Sequence, residues 1–321
     1  MTAVHRRAFS VLAWGALLVL LVLFASRVEW HAAVAAARGA DLRLLLLALV
    51  CNQLSLGLKG VRWWVFLRPL GVGSLALVLR ATYAGASLNN LVIAQGGEAA
   101  RVLIVARASG VAASRVTSAL AIERALDAVS YLTLLVCAAF ALDLPAELLR
   151  WRMTAAVALA CCLVALLALS ATSRMRDGEG EGDTMLRGRI RSAARTFASS
   201  VSETATAPRL GSGLLLSLCA WALQVATYHA IALATHLPLS LSGSVAAMLA
   251  IGISFLFRGT PGNVGIFQLI YVITVASFGV GRSAAVATAL LIQVVQIVPT
   301  VVLGSLAAHR LATSTRVGAG N

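Results

Sequence analysis

Long uncharged apolar runs recur along the chain, separated by short clusters of arginine and polar residues. The runs are continuous and do not alternate, the pattern of membrane helices rather than of a membrane barrel. Residues 8–26 follow a basic start and read as an uncleaved first span. A second span is expected at 42–57, ending in Lys59, Arg62, Trp63, Trp64 and Arg68. Basic and indole side chains together mark a membrane interface. The apolar stretch at 81–88 is too short to cross and runs into Asn89, Asn90, Gln95, Gly96 and Gly97. A re-entrant hairpin is predicted there, because irregular backbone at membrane depth needs cover from protein or a wet cavity.

Further spans are expected at 125–142, with Asp127 in the first turn, at 153–172 and at 210–237. The run at 243–257 is short, and residues 258–265 (Arg-Gly-Thr-Pro-Gly-Asn-Val-Gly) break the apolar sequence before two last helices at 266–280 and 283–307. If 243–257 spans, Arg310 lies inside; if it is re-entrant, Arg310 lies outside. The fold class that follows is all-α: a polytopic membrane helix bundle of about seven spans with one or two re-entrant or broken segments. The whole chain, 1–321, reads as one integral-membrane domain. The hydrophilic segment at 174–209 reads as a cytoplasmic loop; Ile190, Ala194, Phe197 and Val201 recur at helical spacing in it, either an interfacial helix or a solvated linker.

Composition sharpens this picture. The chain is 60% hydrophobic and only 12% charged, against about 25% in soluble domains. Its net charge of +14 would suggest nucleic acid in a soluble protein. Here the arginines cluster at the ends of apolar runs, so no nucleic-acid partner is expected. The same distribution places the N-terminus, 59–68, 98–124 and 174–209 on the cytoplasmic side of the membrane. Five cysteines lie within apolar runs without metal or redox spacing. His229 and His236, seven residues apart, could line a proton path, but they lack the further ligands a metal site needs. No metal and no cofactor are expected.

Candidate chemistry concentrates at 89–127. Between residues 42 and 142 there are three acids, Glu98, Glu123 and Asp127, each close to an arginine, Arg101 or Arg124. Ionisable groups in hydrocarbon tend to be paired and functional. Simple anchoring by snorkelling arginines is the competing reading. Arg258 has no local carboxylate, and Pro261, Gly262 and Gly265 open the backbone beside it, which together make a seat for a phosphate group. A weak repeat also appears: Ser109-Gly-Val-Ala-Ala-Ser114 matches Phe278-Gly-Val-Gly-Arg-Ser283 at an offset of 169, Gly97 matches Gly265 at 168, and Glu98 matches Gln268 at 170. Such repeats are common in transporters.

At Gly97-Glu98-x-x-Arg101, Glu123-Arg124-x-x-Asp127 and Pro261-Gly-Asn-Val-Gly265, the chain resembles the lysylphosphatidylglycerol synthase transmembrane-region family, the flippase-like domain. Asn90 also matches that pattern; Ile93 stands in place of a proline, Asn263 of a glycine and Gln268 of a glutamate. The resemblance implies an inner-membrane protein linked to lipid modification or translocation, with Asn90, Gly97, Glu98, Arg101, Glu123, Arg124, Asp127, Arg258, Pro261, Gly262 and Gly265 as substrate-binding residues. There is no room for the soluble aminoacyl-transferase domain of the two-part synthase, and no catalytic residue is assigned. Two functions follow. One is a translocase that moves or binds a phosphate-bearing membrane lipid. The other is a non-catalytic subunit or scaffold presenting lipid to a separate lipid-modifying enzyme, docked at 174–209.

Overall fold

The computed structural model describes residues 38–91, 96–142, 203–254 and 263–318, with short pieces at 34–35, 153–154, 156–161 and 199–201. The expected first span, most of 153–172, nearly all of the loop at 174–209 before residue 203, and the turn at 255–262 lie outside the described residues. Among these residues there is no strand, and the principal helices are α1 (Leu42–Leu67), α2 (Leu75–Leu91), α3 (Gly96–Ser109), α4 (Ala113–Ala141), α5 (Ala207–Ala234), α6 (Leu241–Ser254), α7 (Ile266–Ala276) and α8 (Arg282–Gly318). Four stretches, Leu42–Leu70, Ala113–Ala141, Ala207–Ala234 and Arg282–Leu311, are long and apolar enough to cross a bilayer. Their outer faces carry exposed apolar residues one turn apart, Leu46, Val50 and Leu54 on α1 and Val294, Val298 and Val302 on α8. The all-α membrane bundle read from the sequence is the fold.

Three boundaries differ from expectation. The second span does not stop at Gly57: α1 continues to Leu67, and Arg62 and Trp63 lie wholly buried. They cannot be interface residues, and ion pairs described below offset the burial of Arg62. The α4 helix begins at Ala113, so Asp127 sits in its middle rather than in a first turn. The break falls earlier, at Gly110, whose φ of 71° ends α3's connection. Asn89 and Asn90 stay helical in α2, and Gly96 already belongs to α3.

The helices fall into two units with the same order: long, short, short, long. Element starts at Leu42, Leu75, Gly96 and Ala113 recur at Ala207, Leu241, Ile266 and Arg282, about 165 to 170 residues on. The corresponding helices α1 and α5 run antiparallel. Asp41 at the start of α1 donates its N–H to Ala234 at the end of α5 (2.9 Å), and Ser55 Oγ donates to the Ala220 carbonyl (2.8 Å). The units are therefore inverted relative to each other. Each has its own core: one around Trp63, Phe66, Val105 and Ile122, the other around Ile231, Met248, Phe267 and Ile292.

Within each unit the two short helices form a hairpin. In the first, Gly97 N–H donates to Asn89 Oδ1 (2.9 Å). A Cβ on Gly85 would lie 2.6 Å from the Gly97 carbonyl, so only paired glycines allow this approach. In the second, α6 and α7 pack together. At 14 and 11 residues they reach about 21 and 17 Å, short of the ~30 Å of hydrocarbon. Gln53 Nε2 on α1 meets Thr300 Oγ1 on α8 (3.3 Å), and Thr235 beyond α5 meets Thr288 near the start of α8 (3.0 Å). Hence α8 runs parallel to α1, and Arg310 lies at the same end of the bundle as Arg68. A re-entrant 243–257 alone would have put Arg310 on the other side; the hairpin returns the chain instead.

Candidate functional site

The carboxylate-bearing face of α4 meets α1 and α3 of the first unit and α5 of the second. Arg62 on α1 is its centre. Its guanidinium donates to Asp127 Oδ1 (2.7 Å), to Glu123 Oε1 (3.0 Å) and to Ser217 Oγ on α5. Glu123 Oε2 accepts from Arg101 on α3 (2.9 Å), so one carboxylate bridges two arginines. Arg101 also lies over the Trp63 ring, 4.6 Å from its centroid, a cation–π contact in a dry setting. Arg124 pairs with Glu98 across to α3 and stands 3.8 Å from Asp127.

Sequence proximity suggested Glu98 with Arg101. The helices exchange these partners instead: Glu98 takes Arg124, and Arg101 takes Glu123. The reason is that α3 and α4 run antiparallel, so each helix offers its charge to the other. The amide Asn89, rather than Asn90, holds the hairpin at Gly97; Asn90 is half-buried and makes no side-chain hydrogen bond among the described residues.

Burial grades across the site. Arg62 and Glu123 are 0% and 3% exposed at their side chains, Asp127 17%, Glu98 20% and Arg124 51%. A ligand therefore meets Arg124, Glu98 and Asp127 first. Lys59, one turn before Arg62, is half-buried, with Nζ 5.2 Å from the Trp221 ring and no carboxylate within 4.0 Å among the described residues. The charge tally is four cations (Lys59, Arg62, Arg101, Arg124) against three anions (Glu98, Glu123, Asp127). Three buried donors, Arg62 Nε, Arg101 Nε and Trp63 Nε1, have no acceptor among the described residues. Burying such donors unpaired costs about 1–3 kcal/mol each.

Sequence reasoning missed Arg62, Lys59 and Ser217. The available signal was their spacing: Lys59 and Arg62 are three apart, hence on one face, of a helix that carries no other charge between Leu44 and Leu67. In the second unit Gly265 caps α7 with φ 92°, and Gln268 Oε1 accepts its N–H (2.7 Å). Arg258, Pro261 and Gly262 lie outside the described residues. His229 Nδ1 is 3.0 Å from Ser244 Oγ, while His236 is exposed beyond the end of α5.

A helical bundle that buries an ion network between its spans is a multi-pass membrane protein with an interior polar site. The family model described as the lysylphosphatidylglycerol synthase TM region matches residues 9–304, and the chain belongs to that family. Membership associates it with lipid modification in the membrane. Among curated proteins none matches the chain at a significant level.

Proposed function

We propose that the chain is a lipid translocase of the inner membrane that binds a phosphate-bearing lipid at the network around Arg62, Arg101, Glu123, Arg124 and Asp127. The observation that carries this reading is the surplus cation beside buried, unpartnered N–H donors. Such a set is completed by an anion, and guanidinium groups suit phosphate in particular. The graded exposure supports entry at the Arg124 and Lys59 rim, with the buried Arg62–Glu123–Arg101 bridge holding the rim groups in place. Glu123 already serves two arginines, which argues against a cationic headgroup there.

The test is a vesicle assay with purified protein and fluorescent phosphatidylglycerol. A membrane-impermeant reductant should bleach inner-leaflet probe only when the protein is present. Arg124→Gln, at the exposed rim, should slow this by about tenfold, the loss of one charge-assisted contact. The competing subunit reading rests on 174–209, almost all outside the described residues. Absence of any protein-dependent bleaching would leave that reading standing and remove the translocase.

A further inference from the structure

The inverted units allow each residue of the charged site to be matched with its counterpart. At the offsets set by the helix starts, Glu98 and Arg101 on α3 correspond to Gln268 and Tyr271 on α7. On α4 and α8, Glu123, Arg124 and Asp127 correspond to Ile292, Gln293 and Gln296. Contacts repeat as well as positions. Where Arg124 pairs with Glu98, Gln268 donates to Gln293. Where Arg62 holds Asp127, Tyr228 on α5, one residue past Thr227 at the matching position, lies against Gln296. Every charge has become a neutral hydrogen-bonding group, except that Ile292 replaces Glu123.

That one exception leaves a mark. Arg101 pairs with Glu123, but at the matching position its counterpart Tyr271 is offered an isoleucine, Ile292. Tyr271 is 1% exposed and its hydroxyl has no partner among the described residues. A second orphan flanks the same band. Gln53 donates to Thr300, one turn after Gln296 on α8, yet Gln53 Oε1 is buried and has no partner among the described residues. The band thus lacks one donor, for the Gln53 oxygen, and one partner for a phenol. An anion accepts but cannot donate, so it satisfies only one of these. A hydroxyl does both. The band also has aromatic walls: the rings of Tyr228 and Phe267 lie 6.3 Å apart. Gln53 and Gln296 are half-buried, so the band meets the surface at their side, with the Tyr271 hydroxyl beneath it.

We infer that the second unit carries its own binding site, built on Tyr271, Gln53, Gln296 and Tyr228, for an uncharged hydroxyl-bearing group such as the sugar or polyol part of a lipid headgroup. It is independent of the anionic-lipid reading, because it shares no residue with the Arg62 network: Tyr271, Gln296 and Tyr228 belong to the second unit, and Gln53 reaches that unit from α1.

The experiment measures binding to purified protein in detergent by native mass spectrometry. The probes are monoglucosyl-diacylglycerol, diacylglycerol without the sugar, methyl glucoside and phosphatidylglycerol. Glucosyl lipid should bind more tightly than diacylglycerol. Tyr271→Phe should weaken that binding about tenfold, the loss of one buried hydrogen bond, with the melting temperature of the empty protein unchanged or raised. Binding of methyl glucoside that is equally sensitive to Tyr271→Phe would identify a free polyol as the occupant; sensitivity of the glycolipid alone would identify a lipid. Phosphatidylglycerol binding should not respond to Tyr271→Phe, whereas Arg124→Gln should weaken it, so the two sites fail separately. Equal binding of glucosyl lipid and diacylglycerol, or an undiminished affinity in Tyr271→Phe, overturns the inference. Should Tyr271→Phe not fold, Gln53→Met removes the other orphan and must show the same loss.

Discussion

Glu123 joins two arginines from different helices, while Asp127 shares Arg62 with it and keeps partial access to water. The two acids should therefore respond differently to neutralisation. Glu123→Gln leaves Arg101 buried without a carboxylate and should destabilise by about 3 kcal/mol or more. Asp127→Asn leaves Arg62 with Glu123 and Arg124 with Glu98, and should cost about half as much. Thermal unfolding in detergent would order them, and equal losses would contradict the bridging role. Combining Glu123→Gln with Arg101→Met should cost less than the sum of the two, with a coupling of about 1 kcal/mol or more. At this scale the acids and their arginines stood out in the sequence, because charge is scarce there. Arg62 did not, because a basic residue beside two tryptophans also fits a membrane surface. Only the tertiary arrangement separates a buried guanidinium from an anchoring one.

Among the elements, the first hairpin rests on glycine against glycine. A side chain on Gly97 would run into the Gly85 carbonyl and Asn89. Gly97→Ala should therefore separate α2 from α3, pull Arg101 and Glu98 away from α4, and lower stability by about 1–3 kcal/mol. Gly73, where an added Cβ meets nothing within 4 Å, is the control. Gly73→Ala should be neutral or slightly stabilising. The existence of most helices was legible from apolar runs, but their ends were not. Polar residues such as Asn89, Arg62 and Glu123 were read as breaks or borders, yet each is carried inside a helix whose neighbours supply its partners. The Gly96-Gly97 pair was legible as part of an irregular re-entrant stretch, but not as the point where α3 touches Gly85 of α2.

The whole molecule is two units of opposite sense packed along α1 and α5. The hairpin bases then lie at opposite ends: residues 71–73 and 110–112 at one, 237–240 and 277–281 at the other. In a protein whose native cysteines are replaced, Gly73→Cys and Gly281→Cys should label with an impermeant maleimide from opposite faces, Gly73 from the cytoplasmic side. Both positions have open space for a side chain. Labelling of both from one face would sink the inverted arrangement. The repeat was faintly visible as a few matched glycines and serines, because what recurs is helix length and contact, and the chemistry has diverged. That divergence has an electrical consequence. Among the described residues of the two sites, the unbalanced positive charge sits in the first unit, and the second is neutral. A membrane potential acts only on charge that moves through it, at about 2.3 kcal/mol per elementary charge per 100 mV across the full field. With a monoanion seated, the first site is neutral and its motion is blind to voltage. Emptied, it carries one positive charge, so on the translocase reading proposed above polarisation of the membrane would bias the return half of the cycle and leave the loaded half alone.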